Sequence, residues 1–151
     1  MGKLIVSIDP GGTTGFCSLY FTGGVITPDQ YTVQTALEVT FSNRFWYQRY
    51  FSEQRDQIGV IILERFKLFG KQSTMNGQIN SEFPSVRIIG IVEAFAHMYG
   101  LHDKIVFQEP NDRKSAQIPK VHWAALGPSD HVKDAYRHAR YYALTHRGAS
   151  I

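Results

Sequence analysis

Lys3–Phe16 reads KLIVSIDPGGTTGF. Lys3–Asp9 is a short apolar run rich in β-branched residues, which predicts a buried strand. Pro10–Gly15 places a proline and the glycines Gly11, Gly12 and Gly15 within one short stretch, which predicts a tight turn. Phe16–Phe21 predicts a second strand, and Thr22-Gly23-Gly24 a hairpin turn. Val25–Gln34 predicts a third strand, bent or at a sheet edge because Pro28 cannot donate to a ladder. The opening is therefore an antiparallel meander, and Asp9 closes its first strand.

Outward from this stretch the periodicity changes. Thr35 to Gln57 has helical spacing, with Leu37, Phe41, Phe45 and Tyr47 among its apolar positions. Gly59–Glu64 (GVIILE) is a second apolar strand closed by a carboxylate. Arg65–Phe83 reads as a loop. Pro84–Tyr99 predicts a helix, with Pro84 suited to its first turn and Gly100 to its C-cap. Lys104–Gln108 predicts a strand ended by Pro110, and Asn111–Gly127 a loop. Ser129–His146 predicts the last helix, N-capped by Ser129 or Asp130, with Val132, Ala135, Ala139, Tyr142 and Ala143 inward. The order β-β-β-α-β-α-β-α implies a mixed sheet with helices on its faces.

The chain has 151 residues, 43% hydrophobic and 19% charged. That fits one globular domain over 1–151 rather than a disordered chain. No apolar run approaches the ~20 residues of a membrane span, and the start is too short for a secretion signal. Cys17 is the only cysteine. It excludes an internal disulfide, suits a reducing cytoplasm and reads as a core residue. The net charge of +3 is compatible with a nucleic-acid partner.

Three acids stand in unusual places. Asp9 and Glu64 each end an apolar strand, and Asp134 lies one turn into the last helix beside Ala135. An acid after a buried apolar run is costly unless compensated. Convergent carboxylates suggest Mg²⁺ as the compensation: it prefers hard oxygen ligands and takes substrate phosphates as further ligands. Two such ions roughly 3.5–4 Å apart can activate water and stabilise a leaving oxygen at a phosphodiester.

Four segments resemble, in order, the RuvC-type Holliday-junction resolvases of the ribonuclease H-like superfamily. IDPGGTTGF (Ile8–Phe16) resembles their first-strand motif. VIILERFKLFGK (Val60–Lys71) resembles their second acidic strand and substrate loop. SVRIIGIVEAFAHMYG (Ser85–Gly100) resembles their small-residue helix. SDHVKDAYRHARYYA (Ser129–Ala143) resembles their final Asp- or His-x-x-Asp-Ala helix. Residues 22–58 are matched only by their predicted elements.

The resemblance implies an α/β ribonuclease H-like fold, a mixed five-stranded sheet (three antiparallel hairpin strands, then two parallel) with helices on both faces. It implies a Mg²⁺-dependent endonuclease, with Mn²⁺ able to substitute, that cuts four-way or other branched DNA to leave a 5′-phosphate and a 3′-hydroxyl. Asp9 would bridge two metals, Glu64 would bind one and Asp134 the other. His131 matches the family's fourth position. Asp130, at i, i+4 from Asp134, is the alternative metal ligand. A family aromatic stacks on a base from the loop after the second acid. The family's usual position there is Lys67, which leaves Phe66 or Phe69, among Arg65, Lys67 and Lys71. Lys114, Lys120, Lys133 and Arg137 are further phosphate candidates. The two-fold junction calls for two sites, hence a C2 homodimer, with residues 85–100 as the interface; a phage or other mobile-element source fits the compact form. Other readings are a ribonuclease H-like enzyme on RNA–DNA hybrids, a non-catalytic DNA-binding domain, and an ATP-binding domain of the actin and sugar-kinase type, whose phosphate turn IDPGGTTG also resembles.

Overall fold

A computed structural model describes residues 3–35, 44–66 and 83–146. Its strands are β1 (Lys3–Asp9), β2 (Thr13–Thr22), β3 (Val25–Thr35), β4 (Ile58–Glu64) and β5 (Ile105–Gln108). Its helices are α1 (Arg44–Gln54), α2 (Pro84–Met98), a single turn α3 (Lys120–Trp123) and α4 (Asp130–Thr145). The sheet order is β3-β2-β1-β4-β5. β1–β2 and β2–β3 pair antiparallel, and β1–β4 and β4–β5 pair parallel. This is the mixed five-stranded sheet expected from the sequence.

The differences in extent have local causes. β2 begins at Thr13, inside the glycine turn, because Thr13 and Thr14 already pair with Thr35 and Gln34. β3 runs on to Thr35 at the sheet edge. Its register slips around Asp29, next to Pro28, where Ser18 opposes Gln30 but Leu19 opposes Pro28. The helix expected from Thr35 starts at Arg44, and Leu37 and Phe41 lie outside the described residues. The segment 111–127, read as a loop, contains a 3₁₀ turn (Asp112–Ser115) and α3. α2 carries Pro84 in its first turn, and Gly100 follows its C-cap Tyr99 at φ +69°. The Ser129 side chain caps α4 by accepting from Val132 N–H at 3.4 Å.

Strand alternation sorts the core into two layers. Leu4, Val6, Ile8, Phe16, Ile61 and Leu63 pack with Tyr47, Tyr50 and Phe51 of α1 and Ile88, Val92 and Ala96 of α2. On the other face Ile5, Cys17, Leu19, Val60 and Ile62 pack with Val132, Ala135, Tyr136, Ala139 and Ala143 of α4. Cys17 is fully buried there. Among the described residues no helix is long and apolar enough to cross a membrane.

Candidate active site

The two-residue period of a strand decides where each acid goes. Ile5 faces α4, and so, four residues on, does Asp9. Val60 and Ile62 face α4, and so does Glu64. β1 and β4 are parallel neighbours with Ile8 opposite Leu63, so the two acids leave the sheet side by side. α4 covers this end, with His131, Asp134 and His138 at i, i+3 and i+7 on one helix face.

Gly15 sets how closely the helix approaches. It lies opposite Asp9 in the β1–β2 ladder. A Cβ built on it would stand 2.1 Å from the backbone carbonyl of His131, far inside van der Waals contact. Only glycine lets the first turn of α4 rest on β2 here. The turn before it is held by the Thr14 hydroxyl, which accepts from Gly11 N–H and donates to Gly11 C=O. The Ser85 hydroxyl donates to Pro10 C=O at 2.9 Å and ties the turn to α2.

Each acid has a basic partner. His131 Nδ1 hydrogen-bonds Asp9 Oδ2 at 2.9 Å. Arg113, from the 3₁₀ turn after β5, donates Nη1–H to Glu64 Oε2 and sets Nε 3.3 Å from Asp134 Oδ2. Arg137 Nη1 donates to Asp134 Oδ1 at 2.6 Å. His138, fully buried, hydrogen-bonds Glu64 Oε2 at 2.7 Å through Nε2 and Gln108 Oε1 at 2.6 Å through Nδ1.

The charges are unevenly compensated. Burial pushes the Asp9 carboxyl up to about 6, and the Glu64 and Asp134 charges add to this while His131 opposes it. Burial acts on Glu64 in the same direction, but His138 and Arg113 outweigh it and hold that carboxyl below its usual range. Burial tends to lower Arg113, but Glu64, Asp134 and Asp9 outweigh it and leave the guanidinium raised.

Among the described residues, no group of three or more His, Cys, Asp or Glu side chains closes on a point that could hold a metal ion. Glu64 and Asp134 both ion-pair with the Arg113 guanidinium. The donor chemistry still suits a hard divalent cation, because the oxygens are carboxylate oxygens.

The other candidates from the sequence are spread more widely. Asp130 is exposed in the first turn of α4, and the hydrogen bond to Asp9 comes from His131. Arg65 is exposed, pairs with Glu109 at 3.2 Å and lies over the Phe107 ring. Phe66 packs against Phe83, ring centroids 5.3 Å apart. Lys67, Phe69 and Lys71 lie outside the described residues. Lys114 and Lys120 are exposed. Lys133, a phosphate candidate from the sequence, is instead buried, with its ammonium 4.5 Å from the Trp123 ring centroid. α3, which the loop assignment missed, supplies that ring.

Arg113 and His138 were not among the sequence candidates. His138 could have been found from its spacing to His131 and Asp134. Arg113 had no such signal, because its contact to Glu64 spans 49 positions of the chain.

No family model matches the chain, and no curated protein sequence is similar to it. Solved structures are similar in shape. T. thermophilus RuvC in complex with a Holliday junction substrate superposes with a TM-score of 0.69 at 16% identity, covering 96% of this chain and 95% of that one. The fowlpox virus Holliday junction resolvase gives 0.59 at 15% identity, covering 94% and 98%. The yeast mitochondrial Holliday junction resolvase gives 0.52 at 12% identity, covering 95% and 80%. The chain has the ribonuclease H-like fold in the form seen in RuvC and the Holliday junction resolvases.

Proposed function

We propose that the chain is a divalent-metal-dependent endonuclease acting on branched DNA, with the four-way junction as first substrate. One observation carries this reading: on a resolvase-like fold, Asp9, Glu64 and Asp134 come from three separate elements to one end of the sheet, with His131 against Asp9. Asp9, Glu64 and Asp134 would hold two Mg²⁺ ions, or Mn²⁺, which supply charge neutralisation at the phosphodiester and a more acidic water. His131 uses Nδ1 on Asp9, so Nε2 is the nitrogen left to hold or move the proton of the attacking water. Its side chain is 47% exposed, within reach of a substrate. His138 positions Glu64 from behind, and Gln108 fixes its ring. Hydrolysis would break the P–O3′ bond, leaving a 5′-phosphate and a 3′-hydroxyl.

A C2 dimer would give paired cuts. α2, with Val86 and Met98 exposed, is the proposed interface. The test is cleavage of a mobile four-way junction, a flap and an RNA–DNA hybrid in Mg²⁺, Mn²⁺ and EDTA. Metal-dependent, paired junction cuts are expected. A junction shift without cutting in any metal overturns the enzyme reading, preference for the hybrid moves the substrate to RNA–DNA, and ATP turnover favours the kinase-like alternative.

A further inference from the structure

A cleft of about 410 Å³ opens beside the acids. Its walls carry Arg113, Lys114 and Arg137 with no acidic side chain, together with Gln117, Ile118 and Trp123. Arg113 and Arg137 are the residues that also ion-pair with Asp134, so the cleft and the acid cluster share two guanidiniums. An anion drawn to them lies directly against the candidate active site. Trp123 is 47% exposed, and the buried Lys133 ammonium over its ring holds it in place. Among the described residues, Phe66 packs on Phe83 and Phe107 lies under Arg65.

We propose that this cleft is a binding site for one unpaired nucleotide of a DNA strand, with its base against Trp123 and its phosphate on Arg113 and Arg137. A flat aromatic surface beside paired cations matches a nucleotide's two chemistries, a π-face and an anionic phosphate. The cleft volume falls within the roughly 300–1,000 Å³ typical of small-ligand sites. The inference rests on the proposed DNA substrate. It adds a reason for structure selectivity: a base still stacked in a duplex cannot reach Trp123, whereas one freed at a branch can.

The test uses the full chain in EDTA, so that cutting plays no part. Titration with a short oligothymidylate is expected to quench tryptophan fluorescence. Trp46, the other tryptophan, is stacked on Tyr50 within the aromatic cluster on the opposite face of the sheet, so the quench should vanish in W123F. W123A should bind the oligomer roughly tenfold more weakly, with W123F restoring most of the affinity. An oligomer of abasic sugar phosphates should bind wild type no better than oligothymidylate binds W123A. Equal binding by W123A and wild type, or equal binding of the abasic and thymidine oligomers, would overturn the site. Should W123A fail to fold, W123F and the abasic oligomer still decide it. Thymidine monophosphate that competes as well as the oligomer would overturn the assignment to a strand. A chain that quenches but never cuts keeps this site and loses the nuclease reading; a chain that cuts without quenching does the reverse.

Discussion

The two faces of the sheet are built from the same strands and finish differently. On the face covered by α1 and α2, alternate residues of β1 and β4 stay apolar to their ends, at Ile8 and Leu63. The aromatic cluster of Phe16, Trp46, Tyr47, Tyr50 and Phe51 is packed edge-to-face and stacked, with ring centroids 4.8–6.3 Å apart. On the face covered by α4 the same alternation ends in Asp9 and Glu64, and the helix above supplies His131, Asp134 and His138. One face invests its contacts in stability. The other accepts buried charge at one end, where burial leaves the Asp9 carboxyl raised; perturbed groups of this kind cluster at functional sites.

Substitutions on the two faces should therefore fail in different ways. Asp9→Asn, Glu64→Gln and Asp134→Asn should each cut junctions more than roughly a hundredfold more slowly, beyond the loss expected from an outer-shell partner alone, while still shifting a junction in a gel. Phe51→Ala, in the fully buried opposite layer, should cost about 3–5 kcal/mol of stability and leave the rate per folded molecule unchanged. Full cutting by any of the acid variants, measured on the mobile junction, would remove that residue from the site.

Gly15→Ala tests the seam between strand and helix. The added methyl meets the His131 carbonyl, so α4 must move off β2. The expected cost is about 1–3 kcal/mol by denaturant unfolding, as for overpacking elsewhere. The rate should fall further than the stability loss explains, because His131 moves with the turn. A variant as stable and as fast as wild type would mean that the helix start is free to slide.

How much of this could be read in advance depended on the range of the interaction. Asp9 and Glu64 were legible because a carboxylate closing an apolar strand is a local anomaly. The meander, the edge strand at Pro28 and the Ser129 cap were legible from turn and cap chemistry. Arg113 was not, because nothing near it in the chain announces contacts to Glu64 and Asp134. The burial of Lys133 was missed for the same reason: the ring that covers it belongs to a four-residue helix whose residues read as loop. Long-range partners of charged groups are set by how helices dock, and sequence spacing carries little of that.

The charge conflict at Asp9 gives a smaller but sharply signed effect. Its carboxyl titrates near 6 in the folded chain and near 3.9 unfolded. Below both values the proton is bound in either state and Asp9 carries no penalty. As pH rises through this window the unfolded chain ionises first, so folding loses stability, and above about 6 the loss is complete. The shift alone corresponds to about 3 kcal/mol. Asp9→Asn also gives up the charged partner of His131, so a net gain of roughly 1–2 kcal/mol is expected in EDTA at pH 7.5, seen as a melting temperature raised by ~2–8 °C. Near pH 4 the gain should shrink towards zero. A clear drop at pH 7.5 would instead make Asp9 the anchor of a structural ion pair.

Arg113→Gln should give the smallest stability change and the most direct reading of how the α4 face balances its charge. The guanidinium touches Glu64 and Asp134 at once, and its side chain is 25% exposed. Losing it should lower the melting temperature in EDTA by only a few degrees, on the order of 1 kcal/mol for a partly screened pair. It also leaves two neighbouring carboxylates without their shared cation. Mn²⁺ should then bind about tenfold more tightly than to wild type by calorimetry, and should restore more of the melting temperature. The Phe51→Ala variant, with the acids untouched, should bind Mn²⁺ as wild type does. Equal Mn²⁺ affinity in Arg113→Gln and wild type would show that the guanidinium and the metal do not compete for the same oxygens.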